Sequence, residues 1–336
     1  MKIGLVMTVK NEERLLCQNI FYHKAIGVDS IFVYFDNTTD NGFNLIKDIQ
    51  GVITKKSVLP DKYIGIPELK KFWGNADEHH TARQCLNTYD ALQQCRVCNI
   101  DWLISIDADE LLLTDLKGKI NIKDFFANCF ENNIDIVQLV PLEVIARKFN
   151  YNLVMAEETY FKTKKNFKSK LDQIYKKVYN PYTNKYITTS YWLGHTMGKA
   201  AINVKSNIIP YNVHRYSLVD PHRKIKKIQK GFLLHYHLYD FKDFKKNYEK
   251  FKDHPPYFLS GNTIEKLKSL YINLVNDSVY NEEDLEKYYK NNLQFTPKKI
   301  KKLNKTRLFN LFPRKEKAIV KIAYPKQVLK SYLDDM

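Results

Sequence analysis

No run in this sequence approaches the roughly 20 consecutive apolar residues that a membrane-crossing helix needs. The first apolar stretch, Ile3 to Val9, is broken at once by Lys10, Asn11, Glu12, Glu13 and Arg14, which does not read as a secretion signal. Cysteine is scarce. The five thiols at 17, 85, 95, 98 and 129 are odd in number and irregular in spacing, which argues against a disulfide framework and for reduced thiols in a cytoplasmic protein. Cys95 and Cys98 form a CxxC, yet no second Cys or His pair follows at zinc-finger spacing, so they read as structural. Acidic residues are also in deficit: 37 against 54 Lys and Arg, a formal charge of +17 that favours nucleic acid, anionic lipid or phosphorylated substrates as partners. No RRM, KH, helix-turn-helix or zinc-finger signature accompanies that charge, so nucleic acid is not the expected partner, and a nucleic-acid-binding protein stays a rival reading.

What is present is an ordinary globular composition, 44% apolar and 27% charged over 336 residues, enough for one main domain and a smaller appendage. The first third alternates short apolar runs with helical patterns. Strands are expected at 2–9, 30–35, 52–58 and 102–106, with helices starting near Leu15 and over 43–49 and 80–94. Strand followed by helix, repeated, predicts a Rossmann-like, mostly parallel α/β sheet flanked by helices. Ligands of such sheets bind at the carboxyl ends of the strands. Three polar clusters fall there: Asn11 and Glu12, Asp36 to Asp40, and Asp107, Asp109 and Glu110.

The central motif is Asp107-Ala108-Asp109, two carboxylates one residue apart at the end of the apolar run Trp102, Leu103, Ile104. A magnesium or manganese ion bound to a diphosphate needs one or two hard oxygen ligands from the protein, and this spacing can supply them. Short acidic triplets are also common at solvated strand ends; Asp107 could instead touch ribose or sugar.

Thr8-Val9-Lys10-Asn11-Glu12, Asp36-Asn37 with Asp40, Arg83-Gln84, and Asp101-Trp102-Leu103 running into Asp107-Ala108-Asp109-Glu110 together resemble family 2-type glycosyltransferases, especially the branch related to family 92. The resemblance is close over about residues 1–115 and sparse to about 250. It implies a GT-A fold through residue 240, with a helical basic extension over 241–336, and a nucleotide-diphosphate sugar donor transferred with inversion. It implies nucleotide-sugar contacts for Thr8, Asn11, Glu12, Arg83, Gln84 and Asp107, and base or ribose contact for Asp36. Helix capping is the plain alternative for Asn11 and Glu12. A nucleotidyltransferase would share the sheet and carboxylates, but its glycine-rich loop is missing, since residues 8–13 contain no glycine.

Further on, Gly194-His195-Thr196-Met197-Gly198-Lys199 resembles the family's glycine-and-lysine element, where lysine would neutralise the departing diphosphate; an ordinary turn is the alternative. His235 and His237, on one face of a strand end, resemble the late histidine that completes a metal site with Asp107 and Asp109, and imidazole favours Mn2+ over Mg2+. An inverting transfer needs a base; Glu143 is the first candidate beside catalytic Asp109, and His214 the second. Pairing with Arg147 is the alternative for Glu143. Finally, residues 296–317 mix Lys and Arg with Ile300, Leu303, Phe309 and Phe312, a pattern suited to peripheral binding on an anionic membrane face. That would place the enzyme near lipid-linked acceptors; glycan acceptors in bacterial surface polysaccharide, lipopolysaccharide or glycoprotein assembly are expected by analogy.

Overall fold

The computed structural model describes residues 1–163, 197–220, 222–252, 257, 259, 264, 266–304 and 319–334. Its strands are β1 (Ile3–Val9), β2 (Ser30–Phe35), β3 (Val52–Lys56), β4 (Trp102–Ser105), β5 (Glu110–Leu113), β6 (Ile136–Val144), β7 (Tyr160–Lys162), β8 (Ala200–Asn203), β9 (Ile208–Asn212), β10 (Arg215–Leu218), β11 (Lys227–His235) and β12 (Ile319–Lys321). Helices include α1 (Glu13–Ala25), α2 (Gly42–Ile46), α3 (Lys70–Trp73), α4 (His80–Val97), α5 (Ile122–Glu131), α6 (Val154–Glu157), α7 (Phe241–Glu249), α8 (Lys266–Asn276), α9 (Glu282–Asn292) and α10 (Pro297–Asn304). The chain forms two compact units: Met1–Pro141 with Met197–Leu234 and Tyr324–Met336, and Leu142–Thr196 with His235–Ala323.

The first unit is built on a sheet ordered β6-β8-β4-β1-β2-β3. β1 runs parallel to β2 and β4, and β2 to β3, whereas β8 is antiparallel to β4 and β6. The expected α/β sheet flanked by helices is present; its centre is parallel as expected, while beyond β4 the pairing turns antiparallel. Ile3, Leu5, Met7 and Val9 on one face of β1, and Val6 on the other, are all buried, the pattern of a strand covered on both sides. On α5, Ile122, Phe125, Phe126 and Cys129 recur at helical spacing and close the core over Trp102 and Leu233. Asn121 starts that helix by accepting a hydrogen bond from the Lys123 amide. Because β1, β2 and β4 are parallel, the segments after them share one sheet edge, where the three polar clusters lie.

In the second unit β7 pairs antiparallel with β12 and with the last residues of β6, opposing Glu143 to Lys162. Its core is aromatic: Phe241, Phe244, Tyr248, Tyr271, Tyr289 and Phe295 pack with Ile145 and Ala146. Segments after residue 240 thus share a core with the stretch following β6. Asp240 caps α7, and Asn281 with Asp284 forms a capping box on α9. All five cysteines are free thiols. No described helix is long and apolar enough to cross a membrane. Gly194 and His195, the Lys-rich stretch beyond Thr163 and the basic tail beyond Asn304 lie outside the described residues.

Candidate active site

The DxD turn joins β4 to β5 and is clamped from α1. Asn19 donates to the carbonyls of Ala108 and Glu110 at 2.9 and 2.8 Å, and Tyr22 donates to Leu112. The Leu112 amide donates to His23 Nε2 at 3.2 Å, while His23 Nδ1 lies 2.9 Å from the Asn19 carbonyl. An imidazole accepting at Nε2 and donating at Nδ1 is neutral; burial pushes its pKa down to about 3, against a smaller upward pull from the Asn19 bond. Glu110 is not a loop carboxylate. It is buried at the start of β5 and accepts from the Asp107 amide at 2.7 Å, tying the turn to itself. The polar positions of α1 therefore hold the backbone that presents Asp107 and Asp109.

Above this turn, successive turns of α4 carry polar side chains toward the strands. Gln84 donates to Asp107 Oδ1 at 2.5 Å. Arg83 grips Asp36 through Nε and Nη2 at 2.7 and 3.0 Å, a two-point bond that sets the carboxylate after β2. Asn87, fully buried, donates to Thr8 Oγ1 and Ser57 Oγ and accepts from the Val58 amide. Asp90 accepts from Tyr34 and Tyr63 at 2.6 and 2.7 Å and pairs with Lys55 and Lys62. Burial would raise its pKa, but Lys62 and the two phenols hold it down to about 2. Asn87 and Asp90 were not singled out from sequence; a polar residue inside an apolar helical stripe was the available signal.

Asn11 adopts a left-handed backbone, φ 57°, and does not cap α1. Glu12 occupies the cap position without a side-chain capping bond. Asn11 Oδ1 instead accepts from Thr39 N at 2.7 Å and Asp40 N at 3.3 Å, while Asp40 accepts from the Glu13 amide. The Asn11 side chain is therefore a staple between the segments after β1 and β2 rather than a cap, since Asn11 stands one residue before the cap position of α1.

Lys199 enters the same unit just before β8. Its side chain is 2% exposed and its ammonium lies 2.9 Å from Asp107 Oδ2. Burial alone would neutralise it, yet Asp107 and Glu110 hold its pKa well above the usual lysine range. For Asp107 burial likewise works against the charge, and Lys199 with Gln84 overcomes it, keeping the carboxyl well below its ordinary value. Gly198 sets the approach: a Cβ there would fall 1.8 Å from the Leu139 carbonyl oxygen. Only glycine lets this chain lie against β6 and deliver the neighbouring lysine.

In the second unit, His235 and His237 stack with ring centres 5.4 Å apart and planes 9° from parallel, as strand alternation requires. Glu143 is buried, with Lys162 Nζ 3.4 Å from one oxygen and His235 Nδ1 3.8 Å from the other. It does not pair with Arg147, which bonds Glu158 instead, because Glu143 lies on a strand where helical spacing does not apply. Glu143 thus faces two buried basic groups. His214, the second candidate, lies between β9 and β10, where its amide donates to Asn212 Oδ1.

A sequence model of glycosyltransferase family 92 matches residues 7–268. Two Arabidopsis thaliana proteins named as glycosyltransferase-like are each 23% identical over 238 and 234 residues; each alignment covers 67% of this chain, and 51% and 45% of theirs. The chain spans about half the length of these relatives. Among solved structures, residues 1–349 of S. aureus TarS align at 12% identity and TM-score 0.32, covering 86% of this chain and 72% of that one. Mycobacterium tuberculosis glucosyl-3-phosphoglycerate synthase, in complex with Mn2+, UDP and phosphoglyceric acid, aligns at 14% identity and TM-score 0.28, covering 63% and 61%. With the family's model spanning most of its length, from β1 into α8, this chain belongs to glycosyltransferase family 92.

Proposed function

We propose that the protein transfers a sugar, with inversion, from a nucleotide-diphosphate donor to a hydroxyl of a glycan, glycoprotein or lipid-linked acceptor, using a GT-A catalytic framework. The observation that carries this reading, in a family 92 member, is the Asp107–Lys199 pair at the end of β4, with Gln84 on the second carboxylate oxygen. A buried lysine kept charged beside a partly exposed carboxylate is suited to the negative charge that grows on a departing diphosphate. Asp36, held by Arg83, is suited to ribose or base, and Thr8, Asn11 and Glu12 are the proposed further nucleotide contacts.

For the metal, the candidate ligands are Asp107, Asp109, His235 and His237; Asp107 is also engaged by Lys199 and Gln84. Carboxylate and imidazole together form a donor set that suits manganese more than magnesium. When bound, such an ion supplies Lewis-acid stabilisation of the diphosphate. Glu143 is the proposed base, with Lys162 Nζ 3.4 Å and His235 Nδ1 3.8 Å from its carboxylate oxygens. Acceptors in bacterial polysaccharide or lipopolysaccharide assembly, and peripheral association with a cytoplasmic membrane face, remain part of this proposal, supported by the net charge of +17.

The test is a panel of nucleotide sugars assayed for turnover with and without Mn2+, alongside Asp109→Ala. Donor-specific turnover abolished by EDTA, restored by Mn2+ and lost in Asp109→Ala is the expected result. Full turnover in EDTA, or in the variant, would defeat the metal assignment; no donor bound by any measure would defeat the transferase reading.

A further inference from the structure

The second unit contains a cavity of about 750 Å³ that the reading above does not use. Its walls are of two kinds. Tyr160, Phe295, Pro297 and Ile300 supply an apolar lining, and Arg147, Lys148 and Lys301 supply cations, with no acidic side chain among the described lining residues. The volume falls within the range of small-molecule sites, about 300 to 1,000 Å³.

Arg147 is prepared in advance. Glu158, itself buried, accepts from Tyr151 Oη, from the amides of Thr159 and Tyr160, and from Arg147 Nε. The guanidinium also stacks on the Tyr160 ring at 4.4 Å. This fastens Arg147 by one edge of its plane, and its two terminal nitrogens make no hydrogen bond to any described residue. A planar fork held on one side, with terminal donors to spare, matches the oxygens of a phosphate. Lys148 differs, since its ammonium is already paired with Glu157. Lys301 is exposed, has no ion-pair partner among the described residues and provides the uncompensated charge.

One wall is α10. Pro297, Ile300 and Lys301 stand at positions i, i+3 and i+4 and so share a face, which puts one cation beside apolar surface. Ile300 packs partly on the aromatic core, and Phe295 is anchored by its amide bond to the Ala146 carbonyl at 2.7 Å. The start of the basic C-terminal segment thus builds a cavity wall.

We propose that this cavity binds an anionic amphiphile, a phosphate-bearing headgroup joined to a hydrocarbon chain. The phosphate engages Arg147 and Lys301, and the chain lies against Phe295, Pro297 and Ile300. A nucleotide fits less well, because the lining offers cations and apolar surface but almost no neutral side-chain donors or acceptors to read a base and ribose.

The test uses the full chain and decyl phosphate, kept below its micelle-forming concentration, in isothermal titration calorimetry, with inorganic phosphate and decanol as partial ligands. Saturable one-site binding of decyl phosphate is expected, with each partial ligand weaker by about tenfold or more. Lys301→Glu should weaken binding by about tenfold or more and Lys301→Arg should preserve it, both with unchanged circular dichroism. Absence of saturable binding, equal binding to Lys301→Glu, or equal affinity for inorganic phosphate alone overturns the proposal. Cosedimentation with phosphatidylglycerol but not phosphatidylcholine vesicles, lost in Lys301→Glu, supports a bilayer lipid as the source of the headgroup. Decyl phosphate binding without cosedimentation supports a free amphiphile. None of these readouts needs turnover, so failure here is distinct from failure of the transferase reading.

Discussion

Lys199 and Asp107 form an ion pair buried from one side: the ammonium is closed in at 2% exposure, while the carboxylate 2.9 Å away is 39% exposed. Removing the lysine leaves a carboxylate still partly reached by water, so the stability cost is smaller than for a fully buried pair. Lys199→Met is expected to cost about 1–3 kcal/mol in urea denaturation. It should lower kcat/KM about 10²-fold, as loss of a charge placed against the leaving group does. An unchanged kcat/KM would remove Lys199 from the mechanism.

The glycine beside that lysine allows a purely steric experiment. A methyl group at Gly198 would occupy the place of the Leu139 carbonyl oxygen, and backbone cannot rotate away as a side chain can. Gly198→Ala should lower stability by at least about 2 kcal/mol and reduce activity with it. A thermal midpoint equal to that of the parent would show that the close approach is not maintained in solution.

Arg83 and Asp36 are joined by two parallel bonds, which an ammonium cannot reproduce. Arg83→Lys should therefore raise the KM for the donor by about tenfold with kcat nearly unchanged, the signature of lost binding shared by ground and transition states. A fall in kcat at constant KM would instead place Arg83 at the reacting bond.

His23 predicts a pH dependence. Its imidazole is neutral in the folded chain, with the pKa pushed down to about 3, whereas an unfolded histidine titrates near about 6.5. Protons therefore bind the unfolded state first. The stabilising contribution is complete above about pH 6.5 and is lost as pH falls toward 3, at up to about 1.4 kcal/mol per pH unit. His23→Asn should be less stable at pH 7 and should lack this part of the slope. Equal slopes for parent and variant in denaturation between pH 6.5 and 4 would count against the buried neutral ring.

Much of the first unit was legible from residue order. The run at 102–106 became β4, and the pattern at 80–94 became α4, extended to Val97. Period-2 and period-3.6 apolar spacing report burial directly, so they survive folding. Glu110 was harder to read: it appeared as one more acid in a loop and is a buried clamp on the Asp107 amide. Asn19 and His23 lie on the face of α1 that meets β5, and only the path of β5 beside α1 shows why that face is polar.

Residue order alone determined the α/β class, the clustering of acids at strand ends and the resemblance that the family match bears out, because each depends on side chains close in sequence. Tertiary structure decided which charges meet. Lys199 reaches Asp107 across 92 residues of chain, and Arg147 passes over Glu143 for Glu158. A charge pairs with whatever partner the fold leaves nearest in a poorly screened interior, and that distance is set by how strands and helices pack, not by spacing along the chain.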